Sequence, residues 1–431
     1  MTFLSIKQAK EQGSGEVSIR GWIYRIRTSK KLAFIVMRDV TGIIQCVIEK
    51  DILGEEKFSV ADKLQIEAAI SIKGEIKADE RAPDGFEISV KDFEVIGESH
   101  EFPIQKDQSS EFLLDIRHLA IRSRKQQAIL KIRSAYVQAR HEFFTKEGFY
   151  QFDAPILQPS QSGGGSTVFS VKFYDQEVYL SQSWQLYAEA AVQSLEKIYN
   201  FGPTFRAEKS KTSRHLSEFW MAEAEAAWWG LEEVSAFAKK EMKYCIKKVA
   251  ERCKEDFELL EQNTEVLIEM CNKEWPNMKY REAIALIKEK DGMDVPFGKD
   301  LRTIEEQKIM SHFDTPVCVT HYPVEAMGFY KPRDPENPDE ALCFDMLAPQ
   351  SGVEIVGGSQ RSMDISDMKE RLRADGENPE DYQWYFDTRE FGGVPHSGYG
   401  IGTERVIAWI CGLDNIKDAI PFPRTMLRWK P

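Results

Sequence analysis

The spacing of hydrophobic and polar positions changes part-way along this chain, and each regime predicts its own kind of element. Over residues 16–99 apolar and polar residues alternate in five short runs, VSIRGWIYRI, LAFIVMRD, GIIQCVIE, AAISIKGEI and FEISVKDFEVIG, broken by turn residues. Period-two alternation rich in β-branched and aromatic side chains predicts strands. Five strands with one helical interruption, expected over 58–65, predict a small closed barrel of the OB type. The polar stretch 101–116 reads as a linker between a first domain, 1–100, and a second, 117–431. There the spacing first becomes helical over 127–144, through Ile129, Ile132, Tyr136 and Phe143, with Gly148 as a C-terminal stop. Residues 149–157 read as a strand closed by Pro155, and VFSVKFY and EVYLSQS as a hairpin. Residues 185–199 read as a helix. The segment 205–228, FRAEKSKTSRHLSEFWMAEAEAAW, reads as strand, loop, strand, and 231–290 as a long Lys- and Glu-rich helical region. Strands return in PVCVTHYP, ALCFDMLAP and GVEIVGGSQR, and the apolar helix RVIAWICGL follows a glycine turn, GYGIG. Strands at the centre with flanking helices predict an α+β domain built on a largely antiparallel sheet.

Composition narrows the setting. With 42% hydrophobic and 29% charged residues over 431 positions, the chain is ordinary for a globular protein. No window is apolar enough for a membrane span and no signal peptide is evident, so a cytoplasmic location is expected. Seven scattered cysteines without metal-ligand spacing predict reduced thiols and no structural zinc. A net charge of −13 argues against binding nucleic acid through overall charge and leaves only a local basic patch. Arg25, Arg27, Lys30 and Lys31 beside Phe34 form such a patch on the first hairpin, where cations and an aromatic suit single-stranded bases. A core position for Phe34 is the commoner alternative.

Candidate chemistry clusters in the second domain. Arg206 and Glu208, two apart on a strand, share a face and suit a phosphate and an amino group; a structural ion pair is equally compatible. Asp345 and Glu354 on adjacent strands suit Mg²⁺, which takes one or two carboxylates and fills its shell with substrate phosphates. Arg361 closes GGSQR, and Arg405 opens the last helix. The loop SQSGGGST, 160–167, predicts a mobile lid. Neither a Rossmann nor a P-loop pattern occurs, and no Ser-His-Asp or Cys-His set supplies a nucleophile. Arginines and a metal around a triphosphate stabilise a departing phosphate, with one substrate attacking another directly.

In this order, FRAE, RHLSEF, GGSQR, GIGTER and AIPFPRT closely resemble the class II aminoacyl-tRNA synthetases of the aspartyl/asparaginyl/lysyl subgroup, and the asparaginyl members most. The resemblance covers essentially the whole chain. It implies a six-stranded antiparallel catalytic sheet, a homodimer, an anticodon-binding OB fold and an asparagine–tRNA ligase. An amino-acid carboxylate would attack the α-phosphate of ATP with Mg²⁺ present, and the adenylate would pass to the 3′ end of tRNA. By the same resemblance, Arg206 holds the α-phosphate and Glu208 the adenine amino group. Phe219 and Arg405 flank adenine, Arg405 also meeting the γ-phosphate, while Arg214 and His215 lie near pyrophosphate. Gln185, Glu223, Glu225 and Arg361 bind the amino acid, Asp345 and Glu354 bind Mg²⁺, and Phe34, Gln45 and Arg25 bind the anticodon. The chain departs from its relatives in a lid without an acid, in Trp184 where a small residue is common, and in Gly357 where aspartyl enzymes carry serine. Ala188 stands where aspartyl enzymes place a lysine facing the substrate carboxylate, which disfavours a charged side chain and leaves an amide acceptable. A paralogue with another amino acid or acceptor, and an inactive RNA-binding regulator, are the alternative readings.

Overall fold

The computed structural model describes residues 2–104, 108–159, 168–209, 212, 214–351 and 353–431, so the expected lid, 160–167, lies outside the described residues. The chain divides into two compact units, Met1–Leu114 and Asp115–Pro431.

The first unit is a closed barrel of β1 (Gly15–Thr28), β2 (Leu32–Arg38), β3 (Ile43–Glu49), β4 (Ala69–Ala78) and β5 (Phe86–Gly97), in the order β1-β2-β3-β5-β4. Strand β1 pairs with β4 through its first half and β2 through its second, with a register shift between Ile23 and Arg25. Such a bulge bends one strand enough to serve two neighbours. Inward residues such as Ile19, Ile35, Ile44, Ile72 and Ile88 fill the interior. The helix between β3 and β4 spans Lys50–Ala61, earlier than expected. Only its final turn, with Phe58 and Ala61, is buried, so its exposed start left no apolar period to read.

The second unit is built on an eight-stranded sheet. Its strands are β6 (Tyr150–Gln151), β10 (Lys197–Phe205), β11 (Glu218–Ala227), β12 (Asn277–Lys279), β13 (Val317–Thr320), β14 (Cys343–Ala348), β15 (Val353–Gln360) and β16 (His396–Gly402). They run in the order β12-β13-β14-β15-β16-β11-β10-β6. The six inner strands are antiparallel throughout, and β6 and β12 are short parallel additions at the edges. A small separate sheet pairs β9 (Gln176–Leu180) with β7 (Leu157–Gln158) and β8 (Ser170–Phe173).

Two helices, Arg124–Lys146 and Leu231–Arg252, cover one face of the large sheet. The first starts on a Ser123 cap and ends before Gly148, whose φ of 76° suits a residue without Cβ. Ile129, Ile132, Tyr136 and Phe143 pack with Val234, Phe237, Met242 and Cys245 and with the sheet residues Ala222 and Ala224. Arg140 ties helix to sheet. Its guanidinium meets Glu241 at 2.6 Å and donates to the carbonyls of Asn200 and Glu223 at 2.6 and 3.1 Å.

Five more sequence expectations are corrected. Residues 149–157 form no continuous strand: Tyr150–Gln151 pairs at the sheet edge, and the chain then crosses irregularly through Pro155 to β7. The helix from Gln185 stops at Leu195, and β10 begins at Lys197, after Glu196 takes a φ of 61°. The 231–290 region comprises Leu231–Arg252, Lys254–Leu259, Thr264–Asn272 and Tyr280–Asp291, separated by short breaks and β12. GYGIG is strand rather than turn, lying within β16. The stretch read as a linker also contains a helix, Ser110–Asp115.

Candidate active site

Strand β11 supplies one wall of the site. Phe219, Met221, Glu223 and Glu225 alternate along it and so share one face. Opposite them in β16 stand glycines, Met221 against Gly402, Glu223 against Gly400 and Glu225 against Gly398. A Cβ on Gly400 would run into the Met221 side chain, and one on Gly398 into the Glu225 carboxylate. The glycines therefore let the β11 side chains lie flat across the sheet and leave a groove above it.

Two connected cavities occupy this groove. The first, about 760 Å³, is lined by Arg206, Glu208, Arg214, His215, Phe219 and Arg405. The second, about 900 Å³, is lined by Gln185, Glu223, Glu225, Arg361, Asp345 and Lys331. Arg206, Met221, Glu354 and Gly400 border both. All the residues expected to bind nucleotide or amino acid thus lie along one groove, as do the two expected to bind metal.

Arg206 and Glu208 reach the cavity differently from the expectation. Strand β10 ends at Phe205, so the two residues follow the strand, although the Arg206 amide still donates to the Ser217 carbonyl at 3.0 Å. The Arg206 guanidinium lies over the Phe219 ring at 5.4 Å, and its buried Nε has no hydrogen-bond partner among the described residues. Glu208 faces His215, Oε2 to Nε2, at 3.7 Å. Burial, opposed by Glu208 and joined by the Arg405 and Arg206 charges, moves the His215 imidazole below its ordinary pKa. Arg214 donates to the Ser351 carbonyl at 2.9 Å. Arg405 follows β16 on the helix Thr403–Ile410 and donates to the Glu354 carbonyl at 2.9 Å and its Oε2 at 3.1 Å.

Asp345 and Glu354 converge because of a bulge. Met346 pairs with Val356 and Leu347 with Glu354, so Ile355 is the extra residue in β15. The bulge turns Glu354 toward the side of Asp345. A Cβ on Gly357 would stand 2.9 Å from Glu354 Oε1 and 3.4 Å from Asp345 Oδ1, so both carboxylates crowd one point above the glycine. Burial and the Glu354 charge push the Asp345 carboxyl well up. Glu354 is also raised by burial, but Arg405 and Arg206 bring it net below its ordinary value. Two half-buried carboxylates converging on one point supply the oxygen donors that a hard divalent cation takes.

In the second cavity Glu223 accepts from Ser183 Oγ at 2.6 Å and from the Trp184 amide at 3.2 Å. Arg361 forks onto Glu225 through Nε and Nη2 at 2.9 and 2.8 Å and donates to Ser359 Oγ at 2.8 Å. Burial pushes the Glu225 carboxyl up, yet a two-pronged guanidinium contact of this length is made by a carboxylate, so the pair is ionic. Trp184 turns its Nε1 to the Phe152 carbonyl at 2.7 Å and shares an apolar cluster with Ala188 and Val192. Ala188 is fully buried and does not line the cavity.

Lys331 and Tyr330 were missed. Both line the second cavity, and the Arg361 guanidinium lies 5.6 Å from the Tyr330 ring centre. Lys331 opens the Pro- and acid-rich loop KPRDPENPDE, which reads only as a connection, so no periodic signal marks it.

On the barrel, Phe34 is half-buried and stands outside the core cluster, so the core alternative is discarded. It pairs with Arg27 and Val47, while Arg25, Val36, Gln45 and Glu87 form the next cross-strand row. Gln45 donates to Glu87 at 3.1 Å. Among the described residues no helix is long and apolar enough to cross a membrane, and all seven cysteines are free and buried.

Comparison with known proteins places these features in context. Residues 109–426 match the family described as tRNA synthetases class II (D, K and N), and residues 17–96 match the OB-fold nucleic acid binding domain. The chain is 44% identical over 416 residues to the asparagine–tRNA ligase of Thermoplasma acidophilum, covering 96% of each. The asparaginyl-tRNA synthetase of Pyrococcus horikoshii complexed with asparaginyl-adenylate superposes with a TM-score of 0.96 at 40% identity, over all of both chains. An aspartyl-tRNA synthetase of Entamoeba histolytica shares the fold, with a TM-score of 0.87 at 23% identity over 100% of this chain and 93% of that one.

Proposed function

We propose, from the premise that the chain belongs to the class II tRNA synthetases of the D, K and N group, that it is an asparagine–tRNA ligase. One observation carries the choice of amino acid. Arg361 is already paired with Glu225 by two hydrogen bonds at the wall of the second cavity. A guanidinium–carboxylate pair offers a donor beside an acceptor, which matches the oxygen and nitrogen of a side-chain amide. A second carboxylate there would face Glu225 and be repelled. Two relatives named above, an asparagine–tRNA ligase and a synthetase bound to asparaginyl-adenylate, support the same reading.

ATP occupies the first cavity in this reading. Phe219 and Arg405 hold adenine, Glu208 accepts from its amino group, and Arg206 neutralises the α-phosphate as the asparagine carboxylate attacks. Arg214 and His215 sit beside the departing pyrophosphate. Glu223 takes the α-ammonium, and Arg361 donates to the side-chain oxygen. Mg²⁺ fits Asp345 and Glu354, both oxygen donors crowded over Gly357, and when bound it offsets phosphate charge. Fixed charges already aimed at the groove need not reorganise as the reaction proceeds.

The adenylate then passes to the 3′ end of a tRNA whose anticodon lies on the barrel, with Phe34 stacking on a base and Gln45 and Arg25 beside it. The enzyme acts in the cytoplasm, in keeping with its free thiols. It acts as a homodimer, with exposed Tyr150, Ile156 and Leu157 around Pro155 covered by the second copy.

ATP–pyrophosphate exchange measured with each amino acid separately tests the assignment. Exchange that depends on asparagine is expected, and exchange with a different amino acid alone overturns it.

A further inference from the structure

Behind the amino-acid wall lies a buried polar cluster to which neither the motifs nor the comparisons assign a role. Its centre is Glu189, fully buried one helical turn after Gln185 on the helix Gln185–Leu195. Oε1 of Glu189 accepts from Gln185 Nε2 at 2.8 Å. Its other oxygen, Oε2, meets Tyr385 OH at 2.8 Å, His396 Nε2 at 3.0 Å and Arg389 Nη2. Arg361 Nε lies 3.8 Å from Oε1. Glu189, Glu225 and His396 place ligand atoms within 4.8 Å of one another, which resembles a metal site. Arg361 and Arg389 already hold these carboxylates, so the cluster is an arginine site.

Glu189 does not line the cavity, whereas Gln185 does. A glutamine amide has a donor end and an acceptor end, and the identity of the end facing a ligand follows from what holds the other. Glu189 accepts only, because burial, which by itself raises its carboxyl, is overcome by Arg389, His396 and Arg361. Gln185 must therefore give Glu189 its NH₂ group and keep its carbonyl oxygen for the cavity.

We propose that Glu189 is a positioning residue for amino-acid selection, with Arg389 and Tyr385 fixing it. Through Gln185 it presents an acceptor to the bound amino acid, which welcomes an N–H donor and repels a carboxylate. The inference rests on the asparagine reading above and locates part of that selectivity in residues that never touch substrate. A neutral glutamine at 189 can hydrogen-bond either end of Gln185, so the amide is free to turn and the repulsion of a carboxylate weakens.

The test measures exchange with asparagine and with aspartate in the wild type, Glu189→Gln and Tyr385→Phe. The wild type comes first, and absence of asparagine-dependent exchange there sinks the asparagine reading itself. Given that exchange, Glu189→Gln is expected to lower the asparagine-to-aspartate ratio of kcat/KM at least about 10-fold with KM for ATP unchanged. Tyr385→Phe, which removes one hydrogen bond from Glu189, is expected to lower the ratio by about 2- to 5-fold. A ratio equal to wild type in Tyr385→Phe and in any soluble Glu189→Gln, with activity and Tm falling together, reduces the cluster to scaffold and overturns the proposal. If Glu189→Gln does not fold, the ratio in Tyr385→Phe decides.

Discussion

Gly357 shows how much one missing side chain can matter. A Cβ there would press on Glu354 Oε1 at 2.9 Å, so a methyl group would make that carboxylate shift away from Asp345. Gly357→Ala is expected to weaken Mg²⁺ dependence of exchange by about 10- to 100-fold, the usual cost of disturbing groups that orient metal ligands; a Mg²⁺ titration equal to wild type would refute this. Chelation with EDTA is likewise expected to abolish exchange, and added Mg²⁺ to restore it. The pairing of Asp345 with Glu354 was legible in the sequence, but the backbone irregularity that brings them together was not. Counting by twos from Gly357 puts Glu354 on the opposite face, and only the bulge at Ile355 brings it round. No residue type marks that bulge. Phe34 was ambiguous for a related reason: alternation shows that neighbours face opposite ways, not which way is out.

At the scale of elements, the helix Arg124–Lys146 is held by more than its apolar stripe. Arg140 and Glu241 are both fully buried and join two helices to the carbonyls of β10 and β11. Arg140→Met leaves Glu241 charged without its partner, and loss of about 3–5 kcal/mol is expected, measured by urea unfolding. An unchanged midpoint would show the pair to be dispensable. Periodicity found this helix because its buried face repeats regularly. It overran the helix at 185–195 because Ile198 and Tyr199 continue the apolar signal into β10. It mistook β16 for a turn because glycines are read as breaks, whereas here they clear the space that Met221 and Glu225 fill.

At the scale of the molecule, each compact unit carries one half of the proposed task. Phe34→Ala is expected to lower tRNA charging by about 10-fold, the loss of one stacked base at ~1–3 kcal/mol, with pyrophosphate exchange nearly unchanged. Equal loss of both would remove the barrel from tRNA recognition. The groove's layout also restricts how such an enzyme can change its substrate. From Phe219 to Glu225, strand β11 runs past both cavities, and six steps at ~3.4 Å make a ruler of roughly 20 Å. The ruler cannot slide, since a slip of one residue would turn all its marks to the other face. A longer or shorter amino acid has to be accommodated by exchanging side chains at the Glu225 end, while the nucleotide end keeps its length.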